Sequence, residues 1–164
     1  MSAISRPFWI TLGAVSIAFH LWLIFSGLVP NLVSRPIHMA LALPWALIFV
    51  AKTRPQQISG VILTIIGLIG CGWIVLNHPE LGDQYGFLMG NTQIALAMSL
   101  LIVVLEMARR AIGWPLPMVA AIALLYAFYG EHVPREFGHA GLPVPSTLGP
   151  LPLAPRGLWA RLPR

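Results

Sequence analysis

One acidic side chain lies at the end of an apolar stretch and is followed by two basic side chains at helical spacing. Glu106 precedes Arg109 by three residues and Arg110 by four, so a helix would bring the carboxylate close to both guanidinium groups. An ionisable group in a membrane segment indicates a functional site by default, such as a proton relay. We favour a structural anchor, because an ion pair at the membrane surface stays hydrated and need not enter hydrocarbon.

Histidines on neighbouring helices would suggest a haem site. His20 lies twelve residues into the first apolar segment, whereas His38 lies at the start of the second. At 1.5 Å per residue their depths in one bilayer would differ by about 10 Å or more. The sequence therefore predicts that His20 makes a polar contact between helices. A redox subunit using His20 is the less favoured alternative.

Other signatures of catalysis are missing from the sequence. It has no zinc-ligand spacing, no G-x-S-x-G motif and no phosphate-binding glycine loop. Cys71 is the only cysteine, and an apolar helix disfavours its thiolate. We expect no catalytic residue, no metal and no cofactor, so the chain is not predicted to be an enzyme.

The composition indicates where these residues must be placed. Of 164 residues, 57% are hydrophobic and 9% are charged, against about 25% charged residues in soluble domains. A single cysteine excludes a disulfide scaffold. The net charge of +5 comes without a basic stripe, which argues against nucleic-acid binding. The class of protein that fits this composition is an integral membrane protein.

Apolar runs predict an all-α, polytopic membrane protein with about five transmembrane helices. The helical bundle would occupy residues 1–130, and a proline-rich tail that we expect to be disordered would occupy residues 131–164. The predicted segments are 8–29, 37–51, 58–76, 92–108 and 114–130.

The second predicted segment is the weakest. Its fifteen residues would span only about 22 Å of a hydrocarbon core of about 30 Å, and Pro44 should kink it. It could be a broken helix beside a transport pathway or a bent packing helix, and we favour the packing helix.

Basic residues set the predicted orientation. With the N-terminus in the cytoplasm, one basic residue in the short loops, Arg35, lies outside, and the positive-inside rule is satisfied. The inner basic residues would be Arg6, Lys52, Arg54, Arg109 and Arg110.

Pairs of small residues four apart predict close approach between helices in lipid. These pairs are Gly60 and Thr64, Gly67 and Cys71, Ala14 and Ala18, and Ala123 and Ala127.

Part of the sequence resembles a known family. The resemblance is carried by LEMARRAIGW at 105–114, LLY at 124–126, YG at 129–130 and HAG at 139–141. This part is similar to the fused permeases of tripartite ATP-independent periplasmic (TRAP) transporters, in particular the 4TM/12TM fusions that work with TAXI-type substrate-binding proteins. RPIH at 35–38 is similar as well, so the resemblance covers residues 35–141.

This resemblance implies a small scaffolding region of a secondary transporter for an organic anion, in the bacterial inner membrane. Its partners would be a large TRAP-type membrane subunit or domain and a periplasmic substrate-binding protein. The family's glutamate and arginines match Glu106, Arg109 and Arg110, which implies an anchor between the small region and the next helix. Its solute and sodium positions would fall after residue 141, so none is carried over.

The chain departs from this family after residue 141, where the family continues into a large membrane domain. Here the proline-rich tail follows, so we expect a truncated gene product that does not transport alone. The alternative from another class is a membrane anchor or assembly protein whose helices oligomerise without transport.

Overall fold

The computed structural model describes residues 6–84 and 87–129, and within these ranges all regular structure is helical. Two compact units are present, one ending at His78 and the other beginning at Pro79. The helices are α1 (Arg6–Ser26), α2 (Asn31–Pro44, continued by a π-helical turn, Trp45–Phe49), α3 (Arg54–Leu76), α4 (His78–Asp83), α5 (Asn91–Ile112) and α6 (Pro115–Tyr129).

Three helices are long and apolar enough to cross a membrane, namely Arg6–Ser26, Asn31–Phe49 and Arg54–Leu76. They correspond to the first three predicted segments, and the chain is an apolar helical protein of the kind found in membranes. The fourth and fifth segments are also helices, α5 and α6. That these two cross a bilayer stays a prediction, as does the orientation. The predicted disorder of the tail concerns residues outside the described part of the chain.

The second segment differs most from its prediction. Its helix begins at Asn31, six residues before the predicted start, and runs to Phe49. Nineteen residues span about 28 Å, close to the thickness of the hydrocarbon core, so the helix is longer than the fifteen residues predicted. That it crosses a bilayer stays a prediction. The start of this helix was placed too late because its first turns contain the polar residues Asn31, Ser34 and Arg35. The earlier start is indicated by apolar residues at helical spacing, which lie buried on one face. They are Leu32, Pro36, Leu43 and Leu47.

A π-helical turn follows Pro44. Proline has no N–H to donate to the preceding turn, and the ladder then widens, with the N–H of Val50 donating to the carbonyl oxygen of Trp45 at 3.3 Å. Such single wide turns inside α-helices are typical adjustments to an interrupted ladder. Pro44 thus alters the hydrogen-bond ladder, and the helix continues past it.

The π-helical turn presents two aromatic rings to α1. The ring of Trp9 lies 4.9 Å from that of Trp45 and 5.1 Å from that of Phe49, between centroids. Trp9 is also the buried residue of α1. Gly13, one turn later, lies beside the Trp45 ring, which would make an ordinary van der Waals contact of 3.7 Å with an added Cβ. The first half of α1 is therefore held by aromatic packing.

Small residues line the face of α3 that packs against α2 and the π-helical turn. Gly60, Thr64, Gly67 and Cys71 are separated by four, three and four residues, which keeps them on one side of a helix; Gly70 and the larger Ile74 are buried beside them. The buried positions are Gly60, Thr64, Gly67, Gly70, Cys71 and Ile74. The two small-residue pairs predicted on α3 are thus buried.

The small-residue pairs on the other helices have a different environment. Ala14 and Ala18 are exposed on α1, and Ala123 is exposed on α6. Ala127 is half-buried, so of the four predicted pairs the two on α3 are the ones with both members buried.

Glycines with positive φ delimit α5 in the second unit. Gly90 has φ 91° and Gly113 has φ 101°, values that side-chain-bearing residues rarely adopt. The N–H of Gly113 donates to the carbonyl of Arg109 and closes the last turn. After this break Pro115 begins α6, which packs against α5. The short α4 lies between the third and fourth predicted segments.

Candidate functional site

The last turns of α5 hold a three-residue ionic cluster. Arg109 binds the carboxylate of Glu106 through two bonds, from Nε to Oε2 at 2.6 Å and from Nη2 to Oε1 at 2.7 Å. Arg110 donates from Nε to Oε1 of the same carboxylate at 2.7 Å. The sequence predicted both pairs from their spacing, and both are present.

The two arginines differ in exposure. The side chain of Arg110 is 6% exposed, whereas that of Arg109 is 29% exposed. Arg109 also stacks on the ring of Trp114, with its guanidinium carbon 5.3 Å from the centroid, a cation–π arrangement. Its hydrogen bonds to Glu106 raise the pKa of Arg109, which lies beyond the apolar segment 92–108, so its charge is permanent.

This arrangement favours a fixed structure over proton transfer. A carboxylate that accepts three charge-assisted hydrogen bonds has its charged form stabilised. The cluster keeps one net positive charge, and Trp114 lies beside it, a combination typical of a membrane–water interface. That it anchors α5 to a neighbouring helix stays a prediction.

A second polar contact joins α1 and α2. Nε2 of His20 lies 2.5 Å from Nδ1 of His38, and the rings meet edge to face at 82° with centroids 4.8 Å apart. Nδ1 of His20 lies 2.6 Å from the carbonyl oxygen of Ser16, one turn earlier on α1. His20 is half-buried and His38 is exposed. We call His20 and His38 the histidine dyad.

The dyad contradicts the expectation that the two histidines lie at different depths. That expectation counted from helix ends that the structure places elsewhere. His20 lies six residues before the end of α1, and His38 lies seven residues after the start of α2. At 1.5 Å per residue both are about 10 Å from the turn that joins the helices. The polar interhelical contact expected of His20 is present, and its partner is His38.

The dyad geometry does not fit a haem held between its two rings. Axial histidine ligands lie on opposite faces of the macrocycle, with the iron between their nitrogens. Here Nε2 of His20 instead makes a direct hydrogen bond to His38. In the described ranges, no group of three or more His, Cys, Asp or Glu side chains could hold a metal ion. These residues therefore give the redox alternative no geometric support.

Comparison with known proteins adds no relative. The chain matches no family model, no curated protein and no solved structure. The functional argument therefore depends on the residues and their contacts.

Proposed function

We propose that this chain is the small, scaffolding region of a TRAP-type secondary transporter permease for an organic anion, placed in the bacterial inner membrane with several spans. The observation that carries the proposal is the ionic cluster of Glu106, Arg109 and Arg110. These residues are the core of the sequence resemblance, and their side chains form one bonded unit at the end of α5.

The apolar helices support the membrane part of the proposal. Three of them are long enough to span a bilayer, and their outer faces carry large apolar side chains such as Ile17, Ile58 and Ile69, which are 62–64% exposed. Exposed apolar side chains on long helices suit a lipid environment or a membrane partner. The scaffold would brace a large transport region and help to dock a periplasmic binding protein. It would not transport or catalyse by itself.

The ionic cluster gives the scaffold a site of attachment. Arg110 is almost completely buried, and the carboxylate it contacts is shared with Arg109. Removing the carboxylate would leave two positive charges close together without the acid that they share. The free-energy cost would be larger for Arg110, whose side chain is the more buried. A partner helix that packs on the end of α5 would therefore depend on Glu106.

Co-purification tests the proposal. The tagged chain would be expressed with the large membrane subunit of a TAXI-type TRAP system from the same genome, and the complex would be isolated in mild detergent. We expect a stable complex that Glu106→Ala weakens, since the substitution removes the carboxylate that Arg109 and Arg110 share. Glu80→Ala is the control, because Glu80 lies on the short helix α4, outside the cluster.

Two results would contradict the scaffold. A chain that forms only homo-oligomers and never binds the large subunit would support the membrane anchor or assembly protein instead. A complex that forms equally well with Glu106→Ala would refute the anchor role of the cluster, even if the scaffold function held.

A further inference from the structure

The hydrogen-bond partners of the histidine dyad fix where its protons lie. The carbonyl oxygen of Ser16 can only accept, so Nδ1 of His20 carries a proton and donates it. In a neutral His20 ring Nε2 is then an acceptor, and Nδ1 of His38 must donate to it. Both neutral rings therefore carry their proton on Nδ1, and the lone pair of the dyad lies on Nε2 of His38.

That lone pair is not covered by the described part of the chain. His38 is exposed, and in the described part of the chain its Nε2 has no hydrogen-bond partner. A ring whose Nδ1–H is fixed by a hydrogen bond presents Nε2 in a defined direction, as in the supported histidines of catalytic and metal sites. The open acceptor atom of the dyad is therefore Nε2 of His38.

We propose that the histidine dyad is a binding site for a single proton between α1 and α2. The proton binds Nε2 of His38, and the hydrogen bond between the rings remains. The charge can move to His20 if the bonding proton shifts from Nδ1 of His38 to Nε2 of His20. It goes no further, because the Ser16 carbonyl accepts a hydrogen bond but passes on no proton. The dyad therefore stores a proton and does not conduct it.

A second proton breaks the contact. Both facing nitrogens, Nε2 of His20 and Nδ1 of His38, would then carry hydrogen, and two positive rings would lie with centroids 4.8 Å apart. No Asp or Glu occurs in residues 6–78 to compensate. The titratable or charged groups on the packed helices are Arg6 on α1, Arg35 one turn before His38 on α2, and Arg54 and Cys71 on α3.

The fully buried side chain of α1 lies far from the dyad. It is Trp9, which packs near the opposite end of the helix. In the second half of α1, Phe19, Leu23 and Ser26 are half-buried, and the side-chain hydrogen bond to α2 is the one made by the dyad. Acid should separate this half of α1 from α2 while the aromatic contact at Trp9 persists. The proposal does not depend on the transporter function.

Nitrogen NMR of the full chain, labelled with ¹⁵N-histidine in phosphatidylethanolamine–phosphatidylglycerol vesicles, tests the proton positions. At about pH 8, where histidines are neutral, we expect both dyad rings to carry hydrogen on Nδ1. Acidification should first protonate Nε2 of His38, with one proton per dyad. His20→Phe should abolish the fixed Nδ1–H form of His38, whereas His78→Phe should leave the dyad signals unchanged.

Spin labels test the separation of the helices. Ile24→Cys on α1 and Ile69→Cys on α3, both at exposed positions, would be labelled in a Cys71→Ala background. We expect one distance when both rings are neutral and a longer one once acid has protonated both of them. This pH dependence should be lost in His20→Phe and in His38→Phe.

The proposal would be overturned if neutral His38 carried its proton on Nε2, or if each ring took up a proton independently. An unchanged label distance at acid pH would refute the separation of α1. Failure of the dyad in these measurements leaves co-purification with a large subunit unaffected, so the two proposals fail independently.

Discussion

Trp9 carries most of the packing that holds the first half of α1, so replacing it with alanine should release that part of the helix. Two ring contacts to the π-helical turn would be lost, one at 4.9 Å to Trp45 and one at 5.1 Å to Phe49. An aromatic pair contributes about 0.5–1.5 kcal/mol beyond buried area. The loss should therefore be about 1–3 kcal/mol for the two contacts.

Only the ring contacts are counted because lipid is as apolar as the protein interior, and helix association there lacks the hydrophobic gain available in water. A loss of 1.4 kcal/mol corresponds to about a tenfold change in an equilibrium constant. Trp9→Ala should thus shift the equilibrium between docked and undocked α1 by about 5-fold to 150-fold.

Reversible unfolding in mixed micelles, followed by the distance between labels on α1 and α3, measures this shift. Trp22→Ala is the matched control, because Trp22 lies on the same helix but is 54% exposed. It should change stability by less than about 0.5 kcal/mol, as surface substitutions do. Equal effects of the two substitutions would refute the assignment of α1 docking to the aromatic contact.

Three further predictions concern the helix packing and the helix ends. Gly67→Leu should destabilise the first unit by about 1–3 kcal/mol, because Gly67 is buried on the packed face of α3. Gly72→Leu is its control, since a Cβ at residue 72 meets nothing within 4 Å. Equal stabilities of the two variants in the unfolding assay would contradict the packing of this face. Gly113→Ala should lower the free energy of unfolding by about 1–3 kcal/mol, because a φ of 101° strains any residue with a Cβ. An unchanged denaturation midpoint would contradict this strain. Cys71 should react with maleimide far more slowly than a cysteine placed at exposed Ile69, since it is 2% exposed; comparable rates would show that α3 packs differently.

The ionic cluster was predictable because its geometry is local. Glu106, Arg109 and Arg110 lie within five consecutive residues of one helix, so the helical repeat alone brings their side chains together. The same holds for the buried small residues on α3, whose spacing defines one face. Neither prediction required knowledge of how separate helices are placed.

The histidine dyad was not predictable in the same way, because it depends on where two different helices end. The sequence suggested that α1 continues to residue 29, but the left-handed φ of 57° at Gly27 accompanies the end of α1 at Ser26. It also suggested that α2 starts at residue 37, although the stripe beginning at Leu32 extends the helix backwards. The predicted end of α1 lay three residues too late and the predicted start of α2 six residues too late, which lengthened one helix and shortened the other. These errors separated two side chains that are in contact.

The π-helical turn after Pro44 has a consequence for how sequences related to this one should be aligned. A wide turn accommodates one residue more than the regular helix, and one residue corresponds to a rotation of about 100°. Deleting a residue between Pro44 and Val50 would therefore give a regular last turn and leave unchanged the face on which the residues before Pro44 lie, because the helix ends at Phe49. In an alignment, a single-residue gap at 45–49 would mark a conserved fold, whereas a gap within α3 would move its small residues off the packed face.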